Sequence, residues 1–183
     1  MLDAAEREFG RAGLAAGSME EIARASGVTK AMLFRYFGTK EGLYHACAER
    51  VRARLFDGLE EHTSQLPPGP PRLQAAIDTY FGFLERHRRQ RWLLYADLGS
   101  GTVDAMRLLN AESIRRMLDE GLTVPVSDID IDVLAHSIVG SGEEIGRWWL
   151  EQDDVPREEV VDRFLGIATA MIAQTIARQE APR

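Results

Sequence analysis

Between Ser18 and Lys40 the helix-start and helix-stop residues come so close together that only two helices of about two turns each can fit. Ser18 is a natural N-cap, and Glu21 three residues later completes a capping box. Gly27 suits the left-handed backbone that closes a helix, a conformation costly for any residue with a Cβ. Thr29 caps the next helix, Lys30 to about Phe37. Gly38-Thr39 ends that helix and opens a long one from Lys40 to about His62, which would span roughly 35 Å. Ile22, Ala23, Val28 and Leu33 supply the apolar contacts between the short helices. Two short helices about a tight glycine turn make the helix-turn-helix pattern, whose second helix faces the DNA major groove. Lys30, Phe34 and Arg35 would project toward that groove, with Tyr36 and Lys40 toward phosphates. A helical hairpin buried in some other bundle has the same spacing, so spacing alone leaves both readings open.

The remainder is helical by periodicity, and strand signals are scarce. A first helix covers about Leu2 to Arg11 and ends at Gly13, with Leu2, Ala5 and Phe9 on one face. Pro67-Pro68-Gly69-Pro70-Pro71 reads as a linker, followed by one apolar face of Leu73, Ala76, Ile77, Tyr80, Phe81 and Leu84. Further helices are expected around Trp92–Leu98, Val103–Glu120, Asp128–Gln152, and from Pro156 to about Gln179. The expected fold is all-α with about nine helices. An N-terminal three-helix domain (1–48, helix-turn-helix 18–37) is joined by a connecting helix and Pro-rich linker (49–71) to a larger helical domain (72–183).

Charge permits nucleic-acid binding without arguing for it. The chain of 183 residues carries a net −7, but residues 28–40 contain Lys30, Arg35 and Lys40 and no acid. Such a local patch can meet phosphates while the acidic remainder limits non-specific binding. The basic run Arg86-His87-Arg88-Arg89-Gln90-Arg91 lies well outside the short-helix module. It suits a solvated helix end, or contact with the acidic surface of helix 40–62. No uninterrupted apolar run suggests a membrane span, and no secretory leader is evident, so a reducing cytoplasm is expected.

Enzyme chemistry finds no foothold. Cys47 stands alone, and His45, His62, His87 and His136 have none of the spacings of a helical metal site. Ser141, between Gly140 and Gly142, lacks the strand and flanking residues of a nucleophile elbow. Glu143 and Glu144 read as surface partners of Arg147. No enzyme activity, cofactor or metal is expected.

Residues 3–48 resemble the DNA-binding domain of the TetR family. The resemblance runs through Ser18, Ile22-Ala23, Gly27-Val28-Thr29, Leu33-Phe34, Tyr36-Phe37, Lys40-Glu41 and Leu43, with Ala4-Ala5, Phe9 and Gly13 upstream. It implies a transcriptional regulator, a repressor released from a near-palindromic operator by a small molecule. It places Ser18, Thr29, Tyr36 and Lys40 near phosphates, and Lys30, Ala31 and Phe34 near base edges. Three residues depart from the family pattern. Ala31 stands where glycine is common, Met32 where serine or threonine is common, and Phe34 where tyrosine is usual.

Beyond Pro71 the resemblance is architectural, a divergent domain for ligand binding and dimerisation. Phe81, Trp92, Tyr95 and Trp148 are candidates to line a pocket for a partly apolar effector. Wide apolar stripes on the last two helices nominate Ile138, Trp149, Val161, Phe164, Ala168, Met171 and Ile172 for a homodimer interface. Gly140, Gly142 and Gly146 within one helix mark either close helix approach or room for a ligand.

Overall fold

The structure is a computed structural model that describes residues 1–90 and 102–180. Among these residues the regular elements are eight α-helices and one short 3-10 turn. The helices are α1 (Leu2–Ala16), α2 (Met19–Ser26), α3 (Lys30–Phe37), α4 (Lys40–Thr63), α5 (Pro70–Arg86), α6 (Thr102–Gly121), α7 (Asp128–Trp149) and α8 (Arg157–Glu180). The all-α expectation is met. The helix expected around Trp92–Leu98 lies outside the described residues. The chain divides into two compact units: the first holds Met1–Asp57 with the described residues from Arg86 to Gln90, the second Gly58–Glu85 with the described residues from Thr102, so one division falls at Asp57/Gly58 inside the continuous helix α4. The Pro-rich stretch therefore falls within the second unit.

In the first unit α1, α2, α3 and the first part of α4 enclose a core of Ala5, Phe9, Ile22, Leu33, Leu43, Cys47 and Val51, none of them exposed. Phe9 meets Tyr44 edge to face, ring centroids 5.2 Å apart, a favoured aromatic geometry. The first helix does not stop at Gly13. Gly13 takes φ 70°, kinks α1, and the chain makes another turn to Ala16, where the Gly17 N–H donates to the Gly13 carbonyl at 3.1 Å. A Cβ at Gly17 would come within 2.6 Å of the Phe9 ring, so the small residue lets that ring close the corner. Glu6, buried on α1, accepts from Arg50 Nε and Arg54 Nη2 on α4, both at 2.6 Å. These bonds satisfy a carboxylate that would be costly to bury alone.

The second unit is built on an aromatic centre. Phe81 of α5 has edge-type contacts with Trp149 of α7 and Phe164 of α8, at 5.6 and 5.9 Å between ring centroids. The Trp149 indole N–H donates to the Val155 carbonyl at 2.9 Å, so this buried ring leaves no polar group unsatisfied. Gly142 is buried, and a Cβ there would approach the Phe164 ring to 3.2 Å. Close helix approach therefore accounts for Gly142. Gly140 is exposed, with nothing near its missing Cβ. Before α5, Gly69 turns the chain at φ 97°, and Arg72 pins the turn by donating to the Leu66 carbonyl and pairing with Glu120. Arg115 ties the end of α6 to the start of α7 through Asp128 and Asp132.

Candidate nucleic-acid interface

Local chemistry sets the geometry of the short-helix pair. The Ser18 Oγ accepts from the Glu21 N–H at 3.3 Å, which begins α2. Gly27 takes φ 66° and ψ 27°, the left-handed form that ends α2, and its N–H returns to α2 carbonyls. Thr29 Oγ1 accepts from the Met32 N–H at 3.2 Å and starts α3, and Thr39 Oγ1 accepts from the Gly42 N–H at 2.9 Å to start α4. A Cβ at Gly42 would lie 2.2 Å from the Phe37 carbonyl oxygen, so glycine is needed where α3 turns into α4.

The capping box expected at Ser18 forms only by half. Glu21 turns away to pair with Arg24, and the Ser18 N–H donates instead to Glu8 of α1 at 3.1 Å. Burial would raise the Glu8 carboxyl, yet hydrogen bonds from Arg11 and the Ser18 N–H hold it below its ordinary value. A residue ten positions upstream thus takes the place given to Glu21 and fixes α1 to the start of α2.

The outward side of this unit holds the residues expected to meet DNA. Leu33 is fully buried against the core, which turns Ala31, Phe34 and Arg35 outward with Met32 and Tyr36. Thr29 and Lys30 are exposed at the head of α3, and Ser18 is half-buried at the head of α2. Lys40 is half-buried, and its Nζ donates to the Ala15 carbonyl at 3.0 Å, at the end of α1. Lys30 pairs with Glu20 of α2, and its Nζ lies 5.9 Å from the centroid of the Phe34 ring. That hydrogen bond from Lys30 holds the Glu20 carboxyl below its ordinary value. Sequence spacing gave no sign of the Glu20–Lys30 pair, because its members sit on different helices.

In the second unit the candidate residues fall differently from expectation. Ile138, Trp149, Phe164 and Ala168 are buried in their own chain's core, which leaves them no surface to present to a second copy. Val161, Met171 and Ile172 are half-buried. Among the described residues of this unit the large exposed apolar side chains are Ile129 and Val133, 71% and 60% exposed, with Trp148 and Ile167. Trp148 and Trp149, adjacent on α7, thus take opposite places from those assigned by pattern. Phe81 is fully buried while Trp148 faces outward, and Trp92 and Tyr95 lie outside the described residues. Among the described residues no cluster of three or more metal-ligating side chains occurs.

A short-helix pair with this turn, these caps and an outward second helix defines a helix-turn-helix DNA-binding regulator. Residues 1–47 match the bacterial regulatory proteins of the tetR family, and residues 70–171 match the tetracyclin repressor-like C-terminal domain. The chain belongs to the TetR family, whose members are transcriptional regulators rather than enzymes. It is 26% identical over 163 residues to the HTH-type transcriptional activator FasR of Mycolicibacterium smegmatis, covering 84% of this chain and 72% of that one. A TetR-like transcriptional regulator from Rhodococcus sp. RHA1 is similar in structure with TM-score 0.73 at 27% identity, over 94% and 93% of the two chains. A tetR-family regulator from Streptomyces coelicolor shares the fold with TM-score 0.79 at 24% identity, over 97% of this chain and 80% of the other.

Proposed function

We propose that the protein acts in the cytoplasm as a homodimeric repressor, released from a near-palindromic operator by a small, partly apolar effector. The observation that carries the dimer is the uncovered apolar surface of α7 and α8. Ile129 and Val133 share one face of α7 with Gly140, and Ile167 lies on α8 near Ala170. Within Arg157–Gln179 the most apolar 18-residue window has a mean hydropathy of 1.4, yet only 17% of that window is buried. By length and composition it could cross a membrane. A second copy of this chain covers such a face equally well, and pairing two copies supplies the two recognition helices that a near-palindrome needs.

On DNA, Thr29, Tyr36 and Lys40, with Ser18, are assigned to phosphates, and Lys30, Ala31, Phe34 and Arg35 to base edges. Thr29 uses its oxygen lone pair in the cap, which leaves its hydroxyl hydrogen to turn toward a phosphate. Lys40 spends one of three ammonium protons on Ala15. Trp92 and Tyr95 remain the candidates for effector contact. Continuity of α4 from the first unit into the second offers a covalent route by which effector binding shifts the recognition helix.

The test is a mobility shift on the protein's own upstream region, together with transcription from that region when the gene is deleted. Retarded DNA and raised transcription support repression. Failure to bind that DNA, or any enriched duplex, defeats the reading. The similarity to an activator favours one alternative output, in which transcription falls on deletion.

A further inference from the structure

The outward face of α3 is poor in hydrogen-bonding groups. At 100° per residue, Ala31 and Arg35 occupy the centre of the face opposite buried Leu33, with Met32 and Phe34 on its two flanks. Met32 is 40% exposed and Phe34 is 39% exposed, although both are apolar. From Lys30 to Phe37 the helix has no Asn, Gln, Asp, Glu, Ser or Thr. It therefore lacks the amides that pair with adenine and the carboxylates that accept from cytosine. The head-group of Lys30 is engaged by Glu20 and lies over the Phe34 ring, and the Thr29 oxygen is engaged in the cap. What remains on this face is a methyl, a thioether chain and a phenyl ring around one guanidinium. The major groove presents one apolar feature, the 5-methyl group of thymine.

We infer that α3 reads its half-site chiefly through thymine 5-methyl groups packed against Ala31, Met32 and Phe34. The inference rests on the DNA-binding role of this chain and adds the chemical class of base that it selects. Arg35 is then the main donor to a guanine within an otherwise thymine-rich half-site.

The experiment selects duplexes from a random-sequence pool with the purified full-length protein, then remakes the enriched duplex with deoxyuridine for thymidine, one position at a time. Uracil keeps every hydrogen-bonding group and removes only the methyl. Binding should weaken about fourfold for each contacted methyl, the value of one buried carbon. Substitution outside the half-sites should leave affinity unchanged. Phe34→Ala and Met32→Ala, both at exposed positions, should each lose the thymine-over-uracil preference at the methyl that side chain contacts while keeping the wild-type circular dichroism. An enriched half-site without thymine, or equal affinity for thymine and uracil duplexes, overturns the inference and leaves DNA binding standing. A pool that yields no enriched duplex overturns both.

Discussion

Lys30 opens α3 and Lys40 opens α4, and the two cations are expected to do different things. Lys40 sits at the head of α4 against the Ala15 carbonyl, and its proposed role is a phosphate contact, which carries no base information. Lys40→Ala should weaken binding to all duplexes alike and reduce the salt dependence by about one phosphate contact. Lys30, paired with Glu20 beside the Phe34 ring, borders the base-reading face, so Lys30→Ala should shift base preference at one position by less than the roughly 1–3 kcal/mol of a free bidentate contact. Fluorescence anisotropy against duplexes differing at single positions separates the two, and a changed preferred site for Lys40→Ala would contradict the roles. Cys47 tests the core. Burial first, and the charge of Glu6 next, push its thiol up to about 12. The folded chain should resist thiol reagents at pH 8 until denaturant is added, whereas rapid native labelling would contradict a closed core. Above about pH 9 the unfolded chain loses this proton while the folded chain keeps it, so stability should fall as pH rises toward 12. At this scale the recognition helix was legible, because a single buried position, Leu33, fixes which residues turn outward. The tryptophan pair was not. Apolar residues occupy both sides of α7, so pattern alone could not say whether Trp148 or Trp149 meets the core.

Among the elements, caps were easier to read than the ties between helices. Ser18, Gly27, Thr29 and Thr39 act through neighbours within a few positions, and each stands where its local pattern put it. Ser18→Ala should cost about 1 kcal/mol by removing the acceptor for the Glu21 N–H, measured by urea denaturation. A loss well above that would mean that the Ser18–Glu8 region does more than cap. The ties Glu8–Ser18, Glu6–Arg50 and Glu6–Arg54 join different helices, and nothing in local spacing marks them. Glu6→Ala removes the shared acceptor of two partly exposed arginines, which can then rehydrate. A loss of about 2 kcal/mol is expected, short of the full penalty for a stranded buried charge. No change in the denaturation midpoint would show that water replaces the carboxylate fully. The kink at Gly13 was also hidden, since a glycine near a helix end reads as a stop whether or not another turn follows.

For the whole molecule, the proposed dimer would be held by the exposed row on α7 and α8. Val133→Arg places a charge on the uncovered face and should yield a folded monomer with weakened operator binding. Charge at Phe164, by contrast, would enter the chain's own core and unfold it. The short-helix module was legible because its caps and glycine turn are local signals, whereas the Pro-rich breaker marks a turn inside the second unit rather than a boundary. The division inside α4 was not, because a continuous helix has no break in its pattern at Asp57/Gly58. If an effector releases the operator as proposed, turning a mostly competent population mostly incompetent takes a preference of about 10⁴-fold between states, roughly 5.5 kcal/mol. Linkage requires operator DNA to weaken effector binding by the same factor.

The most direct measurement of a dimer that reads two half-sites is sedimentation of the full chain, alone and on a duplex carrying its own upstream region. A dimer at micromolar concentration is predicted, with two chains on each near-palindromic site and Val133→Arg sedimenting as a monomer. A wild-type chain that sediments as a monomer and occupies its site singly would contradict the account.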